Sequence, residues 1–424
     1  MPRKFFISVC ISVFILIAGF AAEIGKGNPN QEKPEFLQIF NGQDLTGWDG
    51  DPAFWSVKDG IIIAQVPSNV QVKDHSYLIW QGGKVRDFEL HVAVRSTAGN
   101  SGIDYRAQPV LADRDGQQLK WTIQGYQSDI AKDWMGSLYN WGKPGAQPGQ
   151  FVVVAADPPV TKYTGSVVEK QALFDAGYYK PGQWNEFTII ARCSHILHKI
   201  NGFPVVEFID NSSATRREGI LGLQVHSGKG PFLTEFQDLR LKHFDTKFGQ
   251  AKYLLDTNDL SGWLFSTPDA KSAWILQNGV LINKTKSNGF IYTKDDYADY
   301  ILRFQYRSNG DKGSVLLRLT GLDKQEPNCI RITGEGDNFD HIIDVGNPAL
   351  KVVAFERHPA FKKMPPGYWN ECEILLNKGK LLVHVNDLLQ IAATNCRRNP
   401  GKIAFEAAGS RMEFRNIVLI PILE

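Results

Sequence analysis

The chain has 424 residues, room for two to four domains at roughly 100–200 residues each. A hydrophobic share of 43% excludes a disordered chain, and 47 Lys and Arg against 45 Asp and Glu leave a formal charge of +2, without the basic face that duplex nucleic acid requires. Thirty-nine Gly, 21 Pro, 25 Phe, 13 Tyr and 10 Trp beside four Met predict turn-rich β-structure and exclude a helical bundle.

At the N-terminus, Arg3 and Lys4 precede a nearly unbroken apolar run from Phe5 to Ile17, followed by Gly19-Phe20-Ala21. Basic region, apolar stretch and small-residue cut in this order predict a signal peptide over residues 1–22, cleaved near Ala21, and a secreted or periplasmic protein. The alternative is a retained anchor, since Phe5 to Ala22 just reaches across a bilayer. Membrane contact is expected only in that case. Cys10 sits too early for lipid attachment. Of the later cysteines, Cys193, Cys329, Cys372 and Cys396, none has zinc-knuckle spacing. Cys372 and Cys396 fit either a disulfide or two buried thiols.

Further along, the chain repeats itself. Phe40-Asn41-Gly42-Gln43-Asp44-Leu45-Thr46-Gly47-Trp48 is echoed by Leu255 to Trp263, Trp55 to Ile61 by Trp274 to Val280, and Arg86 to Ser96 by Ala298 to Ser308. Gly182-Gln183-Trp184-Asn185-Glu186 returns as Gly367-Tyr368-Trp369-Asn370-Glu371, and Phe236 to Leu239 as Phe414 to Ile417. Order is kept while the offset shrinks, so two copies of one fold are predicted over residues 35–245 and 251–424, the second with shorter loops. Within each copy the period is two: Phe88, Leu90, Val92 and Val94 alternate with polar residues. Short strands between Gly, Pro, Asn and Asp clusters predict an all-β protein of two antiparallel sandwiches.

The copies differ where chemistry could reside. In Gly102-Ile103-Asp104-Tyr105-Arg106, strand alternation puts Asp104 and Arg106 on one face; the counterpart Ser314 to Arg318 replaces the carboxylate with Leu316. Gln127 and Asp129 share a face, as do Gln224 and His226, whose counterpart Ala404 to Ala408 lacks the histidine. A solvated outer face is the plain explanation. Joint loss of Asp104 and His226 in the second copy favours a site. The first copy also carries Lys132 to Ala172, with Trp134, Tyr139 and Trp141, and Trp121 just ahead. Such rings stack on sugars. Trp48, Trp55 and Trp184 persist as Trp263, Trp274 and Trp369, which predicts a structural role. No GxSxG, P-loop or HExxH occurs, and His195 and His198, three apart on a strand, face opposite ways.

Asn41 to Trp48, Asn100-Ser101-Gly102-Ile103 through Arg106, Gly125-Tyr126-Gln127 with Asp129, Trp184-Asn185, Asn201-Gly202 and Gln224-Val225-His226 resemble the 3-keto-disaccharide hydrolase family. The resemblance covers about Phe36 to His243 and, more weakly, Tyr253 to Pro421. The chain departs from the family pattern at Asn140-Trp141, where an acidic residue often follows the Leu-Tyr of the central loop. The resemblance implies two tandem concanavalin A-like jelly-roll sandwiches and cleavage of 3-keto-glycosides. A C3 ketone acidifies the C2 hydrogen, a base removes it, the aglycone leaves from C1, and water adds back. That requires a base, a group to stabilise the enolate oxygen, and an acid. His226 or Asp129 is then the base, Arg106 the enolate stabiliser, and Asp104 a partner or acid. Asn100, Tyr126, Gln127 and Gln224 would bind hydroxyls, with Trp121, Tyr139 and Trp141 as stacking surfaces. A divalent cation could replace Arg106. The alternatives are a carbohydrate-binding module without catalysis and a cell-surface structural protein. The expected partner is a carbohydrate, and no nucleic acid.

Overall fold

The computed structural model describes residues 36–423 except 156–159, 257–258, 285–288, 309–311, 325, 336–337, 356–368 and 408–410. The expected signal peptide and its cut near Ala21 lie outside the described residues, as do Gly367, Tyr368 and Ala408 of the repeat comparison.

Alternating apolar residues build strands that bury one side. Along Phe88–Ala98, Phe88, Leu90, Val92 and Val94 turn inward and Glu89, His91 and Arg95 turn out. In the first copy a large sheet runs in the order 161–166, 150–154, 203–210, 195–200, 185–192, 88–98, 232–243, 61–66, 55–58. Facing it is a six-stranded sheet in the order Leu138–Tyr139, Ile123–Ile130, Ser101–Pro109, Ile220–Val225, Ser76–Trp80, Trp48–Asp49. One apolar cluster fills the space between them, including Trp48, Trp55, Leu90, Ile103, Tyr105, Tyr126, Leu223 and Phe236. The pairs are antiparallel except Gln150–Val154 beside Phe203–Asp210. The second copy repeats this, with a six-stranded sheet ordered 263–265, 290–293, 402–407, 312–320, 328–335, 338–344 against its own large sheet. The described helices are single turns, Lys170–Asp175 and Pro268–Ala273.

Duplication extends to individual contacts. Trp48 Nε1 donates to the Ile39 carbonyl at 2.8 Å, and Trp263 Nε1 to that of Leu254 at 3.0 Å. Asn201 Nδ2 donates to Asn185 Oδ1 at 2.9 Å, as Asn386 does to Asn370 at the same distance. An arginine guanidinium lies 4.6 Å from the Trp184 ring and from the Trp369 ring, supplied by Arg95 and Arg307. These pairs clamp turns and strand ends, so the recurring tryptophans are structural, as expected.

Between the copies lies a buried layer of charge. Arg303 donates to Glu207 of the first copy at 3.1 Å and to Glu371 and Glu373 of the second at 2.9 and 2.8 Å. Arg192 and Lys199 reach across to Glu373 and Glu371, each at 2.9 Å. His195 joins Glu207 at 2.7 Å, whereas His198 turns into the sandwich and meets the Tyr105 hydroxyl at 2.8 Å. The two histidines do face opposite ways. Cys193, Cys329, Cys372 and Cys396 are free thiols, so Cys372 and Cys396 are not bridged.

Candidate active site

The six-stranded sheet of the first copy has its inner face in the core and a polar outer face. Register places Asp104 opposite Gln127 on one side and Gly222 on the other. Asp129 stands opposite Gly102, Gln127 opposite Tyr139, and Gln224 opposite Tyr77. Side chains from five strands therefore share one patch. Glycine makes room for it: a Cβ on Gly102 would sit 2.2 Å from Gln127 Nε2. With only hydrogen there, the Gln127 amide lies flat across the sheet and donates to Asp104 Oδ2 at 2.9 Å.

This patch perturbs its acids. Asp104 is fully buried, and its Oδ1 has no partner. Burial raises its carboxyl well above the carboxylate range, and the charge of Asp129 raises it further. Burial alone lifts Asp129 to about 7. The Tyr77 hydroxyl, also buried, accepts from Gln224 Nε2 at 3.0 Å; burial and then the Asp104 charge push its phenol up. At neutral pH, Asp129 is poised to gain or lose a proton.

Aromatic rings border the patch. Tyr139 lies 6.1 Å from Trp141, Trp141 5.5 Å from His75, and His75 4.4 Å from His226. Tyr139 is exposed, and the half-buried Trp141 keeps an unpartnered Nε1. Ser227 N donates to His75 Nδ1 at 2.9 Å, and His226 Nδ1 donates to the Ser227 carbonyl. Burial, and then the neighbouring His226, lower His75 to about 4.

Sequence alternation thus locates Asp104, Gln127, Asp129, Gln224 and His226 on one face, with Tyr139 and Trp141 beside them. Two assignments require correction. Arg106 does not join Asp104. A register shift between Tyr105 and Gln108, with Arg106 at φ 49°, turns its side chain away. The guanidinium is fully buried, bonded to Asp87 at 3.2 Å, to the Arg86 and Cys193 carbonyls at 2.7 Å and to the Arg216 carbonyl at 3.2 Å. Its counterpart Arg318, at φ 52°, binds Asp299 and the Ala298 carbonyl, so this arginine belongs to the fold. Tyr126 also turns inward, because its neighbours Gln127 and Gly125 alternate with it; its hydroxyl donates to Asp210 at 2.5 Å. Trp121 donates from Nε1 to Asp49 at 2.9 Å and carries the Lys120 ammonium 4.1 Å from its ring. Asn100 occupies the turn before Ser101, whose Oγ donates to the Gln224 carbonyl at 2.6 Å.

His75 and Tyr77 escaped the sequence reading because Tyr77-Leu78-Ile79-Trp80 looks like plain core. A signal existed. Trp48 pairs with Trp80 and Trp263 with Thr293, which aligns Tyr77 with Phe290; the counterpart of His75 lies outside the described residues. The Tyr77 hydroxyl is lost from the second copy together with Asp104. There, Leu316 stands opposite Arg331, and Arg331 is paired with Glu406, so the equivalent face neutralises itself. No trio of His, Cys, Asp or Glu among the described residues is arranged to hold a metal ion.

A sandwich with a buried acid pair, an imidazole pair and an aromatic border on one open sheet belongs among carbohydrate-active proteins, a class that the family comparison defines. The model of the 3-keto-alpha-glucoside-1,2-lyase-like domain matches residues 35–242 and again 250–420. The chain belongs to that family, as tandem copies. Among solved structures, a protein of Parabacteroides distasonis assigned as a glycosyl hydrolase is 18% identical, with a TM-score of 0.33, covering 50% of this chain and 100% of that one. The carbohydrate-binding module CBM66 of Bacillus subtilis is 12% identical at a TM-score of 0.29, covering 46% and 95%. A β-glucanase of Bacillus licheniformis is 13% identical at 0.30, covering 41% and 98%. No curated protein matches the chain by sequence.

Proposed function

We propose that the first copy cleaves 3-keto-glycosides by elimination and water addition. One observation carries this reading: a carboxyl poised near pH 7 and an imidazole lone pair share a face that is absent from the second copy. His226 Nε2 takes the C2 proton, and the C–H electrons form C2=C3 as the carbonyl pair moves to oxygen. The oxygen pair then re-forms C3=O, the C2=C3 electrons shift to C1=C2, the C1–O bond breaks, and protonated Asp129 delivers its proton to the departing oxygen. Water then adds to the enone, its hydroxyl bonding to C1 as the Asp129 carboxylate takes its proton, and protonated His226 returns a proton to C2, which resets both groups. Asp104 is a positioning group, holding the Gln127 amide that donates to it at 2.9 Å. Gln127, Gln224 and Tyr77 bind hydroxyls, and Tyr139 and Trp141 flank the sugar.

The test is turnover of a 3-keto-glucoside carrying deuterium at C2. The expected result is a primary isotope effect and exchange of that deuterium with water, both lost in His226→Ala. Direct hydrolysis without a C2 isotope effect overturns the mechanism. Binding of the unoxidised disaccharide without turnover of the ketone supports a carbohydrate-binding protein instead.

A further inference from the structure

We propose that His75 and His226 form a donor–base pair whose opposite tautomers are imposed by the Ser227 backbone, with His75 Nε2–H donating a hydrogen bond to the substrate ketone oxygen while His226 Nε2 removes the neighbouring proton. The proposal rests on the proton-abstraction reading above and names the enolate-stabilising group that Arg106 does not provide.

The backbone removes ambiguity about the rings. An amide N–H can only donate, so His75 Nδ1, which meets Ser227 N at 2.9 Å, carries the lone pair and the proton sits on Nε2. A carbonyl can only accept, so His226 Nδ1, against the Ser227 oxygen, carries the proton and Nε2 has the lone pair. Neither Nε2 has a protein partner among the described residues. One presents a donor and the other an acceptor. The ring centroids are 4.4 Å apart at an interplanar angle of 63°, close enough to address adjacent substrate atoms. The Trp141 edge, 5.5 Å from His75, closes one side.

The chemistry asks for such a pair. As the C2–H electrons become C2=C3, negative charge gathers on the C3 oxygen, and a preorganised N–H there lowers the barrier. No proton need move from His75: its hydrogen bond strengthens as charge develops and relaxes as the electrons return to expel the aglycone. Burial keeps His75 neutral, so the donor does not compete as a proton source. The tautomer also separates this role from metal ligation. A neutral imidazole that accepts at Nδ1 has no lone pair left at Nε2.

Two measurements test it on the full chain. Two-dimensional 15N–1H spectra of protein labelled on histidine, assigned with His75→Gln and His226→Gln, report each tautomer directly. The expected pattern at pH 7 is Nε2–H for His75 and Nδ1–H for His226; matching tautomers, or a protonated His75, overturn the proposal. In kinetics, His75→Leu is expected to lower kcat for a 3-keto-glucoside about 10²–10³-fold with little change in KM. His75→Gln, which restores an N–H at a similar reach, should recover at least about tenfold of that loss. Equal rates for the two variants overturn the donor role. If the wild-type protein leaves the ketone untouched, the reading of function fails at that step, while the spectra still decide the tautomers.

Discussion

At the scale of single residues, burial makes Asp129 useful and costly at once. Its carboxyl titrates near 7 rather than near the ordinary 3.8, so the folded chain holds a proton there that the unfolded chain has released. The sign follows: this burial is harmless below about pH 4, and stability falls as pH rises toward and through 7. Asp129→Asn cannot ionise and escapes that cost. The variant is expected to melt several degrees above the wild type at pH 8–9, about 2–4 kcal/mol, and to match it near pH 4. Calorimetry across that range is the measurement. Turnover of the 3-keto-glucoside should fall at least about 10²-fold in the same variant, since Asn has no proton to give. Unchanged stability at high pH would mean that Asp129 is better solvated than its surroundings indicate.

At the scale of strands, the polar patch depends on side chains that are absent as much as on those present. Gly102 has ordinary extended backbone, so alanine fits its conformation, yet the new methyl would occupy the place of the Gln127 amide. Gly102→Ala is therefore expected to displace the amide from Asp104 and to cut kcat about tenfold or more, at a stability cost near 1 kcal/mol because a flexible side chain yields. Melting temperature and kcat measured together separate the two effects. Strands also set what the sequence could reveal. Period-two alternation was sufficient to find the sandwiches and five members of the polar face, since each strand keeps Asp104, Gln127, Asp129, Gln224 and His226 outward. Alternation fails at a bulge, and so it misplaced Arg106; no residue type announces that Tyr105 and Arg106 turn the same way. Alternation with Gln127 turns Tyr126 inward to Asp210, against the role that the family resemblance implies. Tyr77 is hidden because Ser76–Trp80 reads as an apolar strand, and His75 because it precedes that strand; only pairing with the second copy brings out the replacement of Tyr77 by Phe290. Trp184-Asn185 and Asn201-Gly202, which carried much of the family resemblance, prove to clamp turns rather than touch the patch.

At the scale of the whole molecule, the duplicated sandwiches meet through the outer faces of their large sheets but through different strands of them. Arg303, Glu371 and Glu373 of the second copy correspond to His91, Glu186 and Thr188 of the first, which are not the residues the first copy brings to the junction. It supplies Arg192, His195, Lys199 and Glu207 instead. Burial raises the cost of ionising Glu207, but the Arg303 charge and the His195 hydrogen bond outweigh it and hold the carboxyl down to about 2. Glu373 is likewise held well below the ordinary range, against burial, by Arg192 and Arg303. Carboxyls depressed in this way contribute stability above about pH 4.5 and lose it as the pH falls toward 2. The junction is therefore expected to weaken in acid, with the calorimetric transition of pH 7 broadening or splitting near pH 3, while Phe151, Val153, Val167 and Ile209 keep apolar contact with the second copy's core. Arg303→Met reaches a similar end at neutral pH by another route. It leaves Glu207, Glu371 and Glu373 buried with one cation fewer, at about 3–5 kcal/mol. Adding Glu207→Gln to Arg303→Met removes one stranded charge and should recover part of that loss, whereas Glu207→Gln alone should destabilise. If the double variant is worse than Arg303→Met by the full cost of Glu207→Gln, the two residues act independently and the charge layer does not couple the copies.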